Sequence, residues 1–163
     1  MATLFVQPLI YVYEKLFGLV SDVSLLELSD TNSKLLKELS NKAPGTFHHS
    51  LNVANLAEAS ANEINANAML VRVGALYHDI GKMHNPLYFT ENQQDIGNPH
   101  DTLNDPYRSG DIIISHITEG DDMAKQAGLP QRIRDFIREH HGTTQVFVFY
   151  QRALNAVDGD KAA

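Results

Sequence analysis

Eight histidines punctuate a chain that has thirteen lysines and arginines, at positions 48, 49, 78, 84, 100, 116, 140 and 141. Two adjacent pairs stand among them, and His78 is followed directly by Asp79. Neutral imidazole suits zinc, iron, manganese or nickel, and a carboxylate can bridge two ions. Two cations about 3.5–4 Å apart clamp the attacking and leaving oxygens of a phosphoryl displacement, and a hydroxide held there is a nucleophile at neutral pH. A lone histidine on an inward helix face is more often a core residue bonded to a backbone carbonyl. Several converging on one carboxylate are a different matter.

Apolar spacing indicates which elements would carry them. Ala68–Lys82 (AMLVRVGALYHDIGK) predicts a helix stopped at Gly81, with Arg72 its single charge before the last turn. A helix that is apolar all round belongs in a core, and an ionised Asp79 at its inner end then needs a partner or a metal. Ser29-Asp30-Thr31-Asn32 ahead of Leu35, Leu36 and Leu39 predicts a short helix. Ala43-Pro44-Gly45-Thr46 breaks the chain, and a helix over about Phe47–Asn65 follows, with Thr46 as its candidate cap. Its stripe of Val53, Leu56, Ala57, Ala61 and Ile64 extends back to His49, whereas His48 turns about 100° away.

Asp105-Pro106 predicts the start of a helix running to about Ala127 and stopped by Gly128, with His116 beside Ile113 and Ile117. Pro130 opens the next. Its stripe of Leu129, Ile133, Phe136 and Ile137 reaches His140, with His141 alongside and Gly142 closing the helix. A last helix is expected over about Thr144–Ala156, before a polar tail. Separate helices thus direct His49, His78, His116 and His140 inward, which is hard to ascribe to coincidence.

Between Met83 and Asn104 no periodicity is visible, and Asn85-Pro86, Gly97 and Asn98-Pro99 are turn signals. A loop of that length in a compact domain is more often functional than idle.

At 163 residues the chain is long enough for one domain with a core of its own. With no cysteine, disulfides and thiolate zinc sites are excluded, and a reducing compartment fits. A formal charge of −7 gives no footprint for a nucleic-acid polymer, so a phosphate-ester substrate would need local cations. Leu4–Val20 is strongly apolar but interrupted by Gln7, Glu14 and Lys15, and falls short of the roughly 20 apolar residues of a membrane span. It reads as an amphipathic helix packed on the domain or as the cytoplasmic end of a membrane helix.

The order H…HD…H…HH resembles the HD superfamily of metal-dependent phosphohydrolases. The residues that carry it are HSL at His49–Leu51, HDIGK at His78–Lys82, ISH ending at His116, and HHGTT at His140–Thr144. More narrowly, PGTFHHSLNVANLAE, YHDIGKMHNPLYFTENQ, GNPHD and IREHHGTT look like the cytosolic domain of bacterial seven-transmembrane HD proteins, the PgpH type. Those hydrolyse cyclic di-AMP to the linear dinucleotide pApA. The similarity covers about Leu26–Ala156.

The resemblance implies an all-α fold, a bundle of about six to seven helices around a metal centre. It would occupy residues 29–163, with residues 1–28 a juxtamembrane or amphipathic segment. Two divalent ions are implied, iron or manganese ahead of zinc or nickel. Asp79 would bridge them, with His49 and His78 on one and His116, His140 and His141 on the other. Asp79 and Lys82 are the implied catalytic pair, Lys82 neutralising a phosphate oxygen; a lysine complementing a helix C-terminus is the competing reading. Tyr88, Phe89, Glu91, Asn92 and Gln93 would line the substrate side. The implied partner is a cyclic dinucleotide, and the implied location is the cytoplasm, as the cytosolic domain of an inner-membrane parent.

The family completes its first metal site with an aspartate on a later helix, in a context like A-D-S. The chain ends before such a segment, and Asp158 and Asp160 have the wrong surroundings. Weak occupancy of the His49–His78 half, and poor activity of this piece, are therefore expected. The alternatives are another HD activity, on cyclic di-GMP, guanosine tetraphosphate or deoxynucleotides, or a non-catalytic metal-bearing nucleotide sensor. The cyclic di-GMP subgroup carries GYP after its histidine pair, and HHGTT has none.

Overall fold

The computed structural model describes residues 3–93 and 97–161, with side chains from Pro8 to Val157 within that span. The helices are α1 (Thr3–Phe17), α2 (Asp22–Leu28), α3 (Lys34–Lys42), α4 (Pro44–Glu63) and α5 (Ala68–Tyr77). After them come α6 (Pro99–Leu103), α7 (Pro106–Gln126), α8 (Gln131–Glu139) and α9 (Phe147–Lys161). Among the described residues there is no strand, as expected of an all-α fold. The helices outnumber the expected six or seven because α2 and α6 are separate short elements of 7 and 5 residues.

Six helices build the core, α4 contributing Ala54. Leu25 of α2, Leu36 and Leu39 of α3, Val73, Leu76 and Tyr77 of α5, Ala124 of α7, and Ile133 and Ile137 of α8 are all buried. Val20 and Leu28, partly buried, pack against the same cluster. Tyr77 reaches across it, its hydroxyl donating to the Leu28 carbonyl at 3.0 Å. Burial pushes that phenol up, against the opposing hydrogen bond from Ser33.

Helix α4 departs from its expected stripe. Ala61 is buried and Val53 is partly buried against the core as expected, but Leu56 and Ile64 are 71% and 75% exposed, and Thr46, Ser50 and Ala54 are buried instead. Small side chains let α4 lie close against α5, its principal neighbour. Ala43 is the cap and Pro44 opens the helix, so Thr46 sits inside the first turn instead of capping it.

Helix α5 ends at Tyr77, ahead of the predicted stop at Gly81. His78 is the last αR residue and Asp79 adopts φ −111°, ψ 15°, the bridge region that many active-site residues occupy. The chain then runs through single turns of 3₁₀ helix at Ile80–His84, Pro86–Tyr88 and Thr90–Asn92, so the supposed loop is largely helical turns. Gly81 fixes the first of these against α7. A Cβ there would lie 1.9 Å from the His116 carbonyl oxygen and 2.6 Å from the Gly120 nitrogen, so only glycine permits the contact.

Helix α7 starts as predicted, the Asp105 carboxylate accepting from the Arg108 amide at 3.0 Å, and Gly128 follows it with φ +73°. Arg134 of α8 grips Asp121 of α7 through two parallel bonds of 2.7 and 2.8 Å. The last helix begins at Phe147, not Thr144, and continues through the expected polar tail to Lys161. The side chains of Asp158 and Asp160 lie outside those described.

The reading of the first helix as packed on the domain does not hold. Leu9, Tyr11, Val12, Tyr13, Leu16 and Phe17 are all exposed. Leu9, Val12, Tyr13, Leu16 and Phe17 fall on one side of the helix, and that side is left uncovered among the described residues. It is held at its end by Glu14, whose carboxylate accepts from the Ser21 amide at 2.6 Å and the Ser24 hydroxyl at 3.0 Å. No helix among the described residues is long and apolar enough to cross a membrane.

Candidate metal centre

Asp79 stands where α4, α5, α7 and α8 meet, and it is 2% exposed. Its two oxygens have unlike surroundings. Oδ2 is 3.1 Å from His78 Nε2, 2.9 Å from Lys82 Nζ and 4.0 Å from His49 Nε2. Oδ1 is 3.5 Å from His116 Nε2 and 3.6 Å from His140 Nε2, beyond good hydrogen-bond range, and has no partner of its own. A buried carboxylate oxygen with no hydrogen bond, ringed by imidazole nitrogens, is costly unless something cationic meets it.

The imidazoles are already set for that role. His78 Nδ1 lies 2.7 Å from the Ala75 carbonyl and His140 Nδ1 lies 2.9 Å from that of Ile137; His116 Nδ1 makes the same contact to the Ile113 carbonyl. A carbonyl only accepts, so each Nδ1 carries the proton and each Nε2 presents a lone pair to the centre. The common reading of an inward histidine, bonded to a backbone carbonyl, is thus correct for one nitrogen of each ring. The other nitrogen is left for the site.

Two donor sets share the aspartate. Asp79, His116, His140 and His141 form one, and His49, His78 and Asp79 the other, the donor atoms of each set lying within 4.8 Å of one another. All six metal-ligand candidates of the sequence, on four helices and their ends, are brought together. The sets differ in depth: His116 is 2% exposed, whereas the His49 side chain is 48% exposed. Mixed imidazole and carboxylate donors with no thiolate fit iron, manganese, zinc or nickel. His48 and His84 are exposed, and His100 is buried between Tyr88 and Phe149; none of these joins either set.

Electrostatics follow from this crowding. Burial works to raise the Asp79 carboxyl, but the His140 and His78 imidazoles and the Lys82 ammonium hold it far below the usual carboxylate range. For His78, burial favours the neutral ring, yet the Asp79 carboxylate 3.1 Å from Nε2 favours the ionised one and leaves it raised; the neutral ring is the form that offers Nε2 to a cation. Burial lowers His116. It also lowers His141, helped by the neighbouring His140 and His116.

Lys82 is not a free cation. Its ammonium is shared between Asp79 at 2.9 Å and Glu91 Oε1 at 2.8 Å, and lies 4.9 Å from the centre of the Phe89 ring. The same Glu91 oxygen accepts from the Thr46 hydroxyl at 3.1 Å. Asn92 completes the tie, its Oδ1 accepting from the Thr46 amide at 3.0 Å and its Nδ2 donating to the Thr46 hydroxyl at 2.7 Å. Beside it, a Cβ on Gly45 would fall 1.7 Å from the Glu91 carbonyl oxygen.

Of the expected substrate-side residues, Phe89 is buried edge-on against His116, with ring centres 5.6 Å apart. Asn92 is buried in the Thr46 tie, and Glu91 holds Lys82. Tyr88 packs edge-on against His100, and Gln93 donates to the Leu87 carbonyl at 3.1 Å. Sequence reading missed Thr46 and Gly45. Their partners lie some 45 residues away, and no local signal announces such a pairing.

The cyclic-di-AMP phosphodiesterase PgpH of Listeria monocytogenes is 51% identical over 142 residues, 87% of this chain and 20% of the relative. PgpH of Bacillus subtilis is 47% identical over 146 residues, 90% of this chain and 20% of the relative. The chain thus spans about a fifth of the length of these relatives. The crystal structure of the Listeria PgpH HD domain in complex with cyclic-di-AMP superposes with a TM-score of 0.74 at 52% identity, covering 78% of this chain and 59% of that one. The family model of the HD domain matches residues 46–156, a span that holds both donor sets, and the chain belongs to the HD-domain family.

Proposed function

We propose that this chain is the hydrolytic domain of a cyclic-dinucleotide phosphodiesterase that opens cyclic di-AMP to linear pApA with a pair of divalent cations, iron or manganese. The observation that carries the reading is the unpartnered Oδ1 of buried Asp79, faced by imidazole lone pairs, in a chain about half identical to PgpH proteins. His49 and His78 would hold one cation, His116, His140 and His141 the other, and Asp79 would serve both. When bound, such ions supply Lewis acidity toward phosphoryl oxygens and lower the pKa of water.

The residues of the chain do the rest. The carbonyls of Ala75, Ile113 and Ile137 keep the protons of their histidines on Nδ1, so each ring offers Nε2. Phe89 walls the His116 side against water. The phosphodiester would approach at the exposed rim, between His49 and His141. The parent would present this domain in the cytoplasm from a membrane anchor.

The test is incubation of protein loaded anaerobically with Mn(II) or Fe(II) with cyclic di-AMP and, separately, cyclic di-GMP, products resolved by chromatography. Formation of pApA at several times the rate of the guanine product, lost in Asp79→Ala, is expected. Equal or preferred turnover of cyclic di-GMP would sink the substrate assignment. Binding of cyclic di-AMP without turnover would favour a sensor.

A further inference from the structure

An ammonium in contact with the carboxylate that a cation should occupy is a contradiction on its face. Lys82 Nζ is 2.9 Å from Asp79 Oδ2, and the Lys82 side chain is 13% exposed. Taken as a pair, the two cancel, and imidazole ligates a metal only in its neutral form, so the donor rings add no negative charge. A site of that kind would attract a divalent ion weakly.

Glu91 resolves this. Its Oε1 is 2.8 Å from the same ammonium, and its side chain is 27% exposed, so Asp79, Lys82 and Glu91 together carry one net negative charge beside the donor atoms. Lys82 is then free to pin Oδ2, which leaves Oδ1 turned toward His116 and His140. The Thr46 and Asn92 contacts hold the backbone of the Glu91 segment to α4 and bring no charge.

Resting on the metal-dependent reading above, we propose that Glu91 is a positioning residue that acts through Lys82: it takes up the ammonium's charge, so that Lys82 can orient Asp79 without cancelling the charge Asp79 offers a cation. Glu91 touches neither donor set in this role. Its effect is exerted entirely on the lysine.

Charge rescue tests this directly. Mn(II) is titrated calorimetrically into chelator-stripped wild type, Glu91→Gln, Glu91→Gln/Lys82→Met and Thr46→Val. Glu91→Gln keeps the shape and both hydrogen-bond acceptances, and it should weaken Mn(II) binding about tenfold, in the range of losses seen for residues that brace metal ligands. Removing the lysine as well restores the net charge, so the double variant should bind within about threefold of wild type. Thr46→Val loosens the segment but leaves every charge, and should also stay within about threefold.

Wild-type affinity in Glu91→Gln overturns the proposal, as does a double variant no tighter than Glu91→Gln. A loss in Thr46→Val as large as that in Glu91→Gln overturns it too, since packing of the segment would then be the cause. Absence of Mn(II) binding in wild type would remove the metal-dependent reading and this proposal with it, a result distinct from all of these.

Discussion

His116 and His140 bring their Nε2 atoms to 3.5 Å of each other, and both face the same unpartnered oxygen of Asp79. Two ring nitrogens that each have their proton on the far side cannot hydrogen-bond to one another. The contact is two lone pairs and a carboxylate oxygen meeting without a proton between them, which is the arrangement a cation relieves.

Asp79→Ala should therefore remove that point of convergence while sparing the helices. Metal content of anaerobically purified protein, measured by elemental analysis, should fall below about a tenth of wild type, because a lost ligand costs at least as much as the 10- to 100-fold of a bracing residue. Unchanged content would rule the two donor sets out as a metal centre.

The two sets should respond differently to loss of a histidine. His49→Ala acts on a half-exposed side chain and should reduce metal content with an unchanged urea midpoint. His116→Ala opens a space beneath Phe89 and should cost stability as well, about 1–3 kcal/mol. Equal stability losses in the two variants would contradict the difference in burial.

Gly81→Ala should be among the most damaging single changes in the chain. The new methyl would meet main-chain atoms of His116 and Gly120, which have no rotamer to yield, so a loss of about 3 kcal/mol or more is expected. Gly110→Ala, in α7 with nothing within 4 Å, is the control and should be neutral or stabilising by up to about 1 kcal/mol. Urea denaturation of both variants is the measurement.

The Asp121–Arg134 pair gives a pH signature remote from the centre. The bonds from Arg134 hold the Asp121 carboxyl below the usual range, against a smaller opposing effect of burial. Its contribution is therefore complete above the unfolded value of about 3.9 and is lost as pH falls through the lower folded value. Wild type should exceed Asp121→Asn by up to about 1 kcal/mol at pH 7, and the gap should stay level to pH 5 and close only below about pH 4. A gap that closes between pH 7 and 5 would show another group at work.

What the sequence made legible was the convergence, because His116 and His140 sit in register with Ile113, Ile133 and Ile137, and apolar spacing is a strong signal. Helix α4 was misread in part because Thr46, Ser50 and Ala54 of its buried face carry little hydrophobic signal, while Leu56 and Ile64 point to solvent. The end of α5 was placed too late: Gly81 looked like a stop, whereas its task is to let the chain touch α7. Lys82 looked like a free cation for a phosphate. Its neutralising partner, Glu91, is nine residues away through two tight turns that leave no periodic trace.

The bonds from His78 to Ala75 and from His140 to Ile137 have one more consequence. Those carbonyls belong to the last turns of α5 and α8, where backbone acceptors run out of amide partners. The imidazoles therefore close the two helices, and the helices direct their electronegative ends at the place where the rings converge. Each such end favours a positive charge by about 0.3–1 kcal/mol. Part of the attraction for a cation is thus written into the main chain, where no side-chain substitution can erase it, and a trace of affinity should outlast even the loss of Asp79.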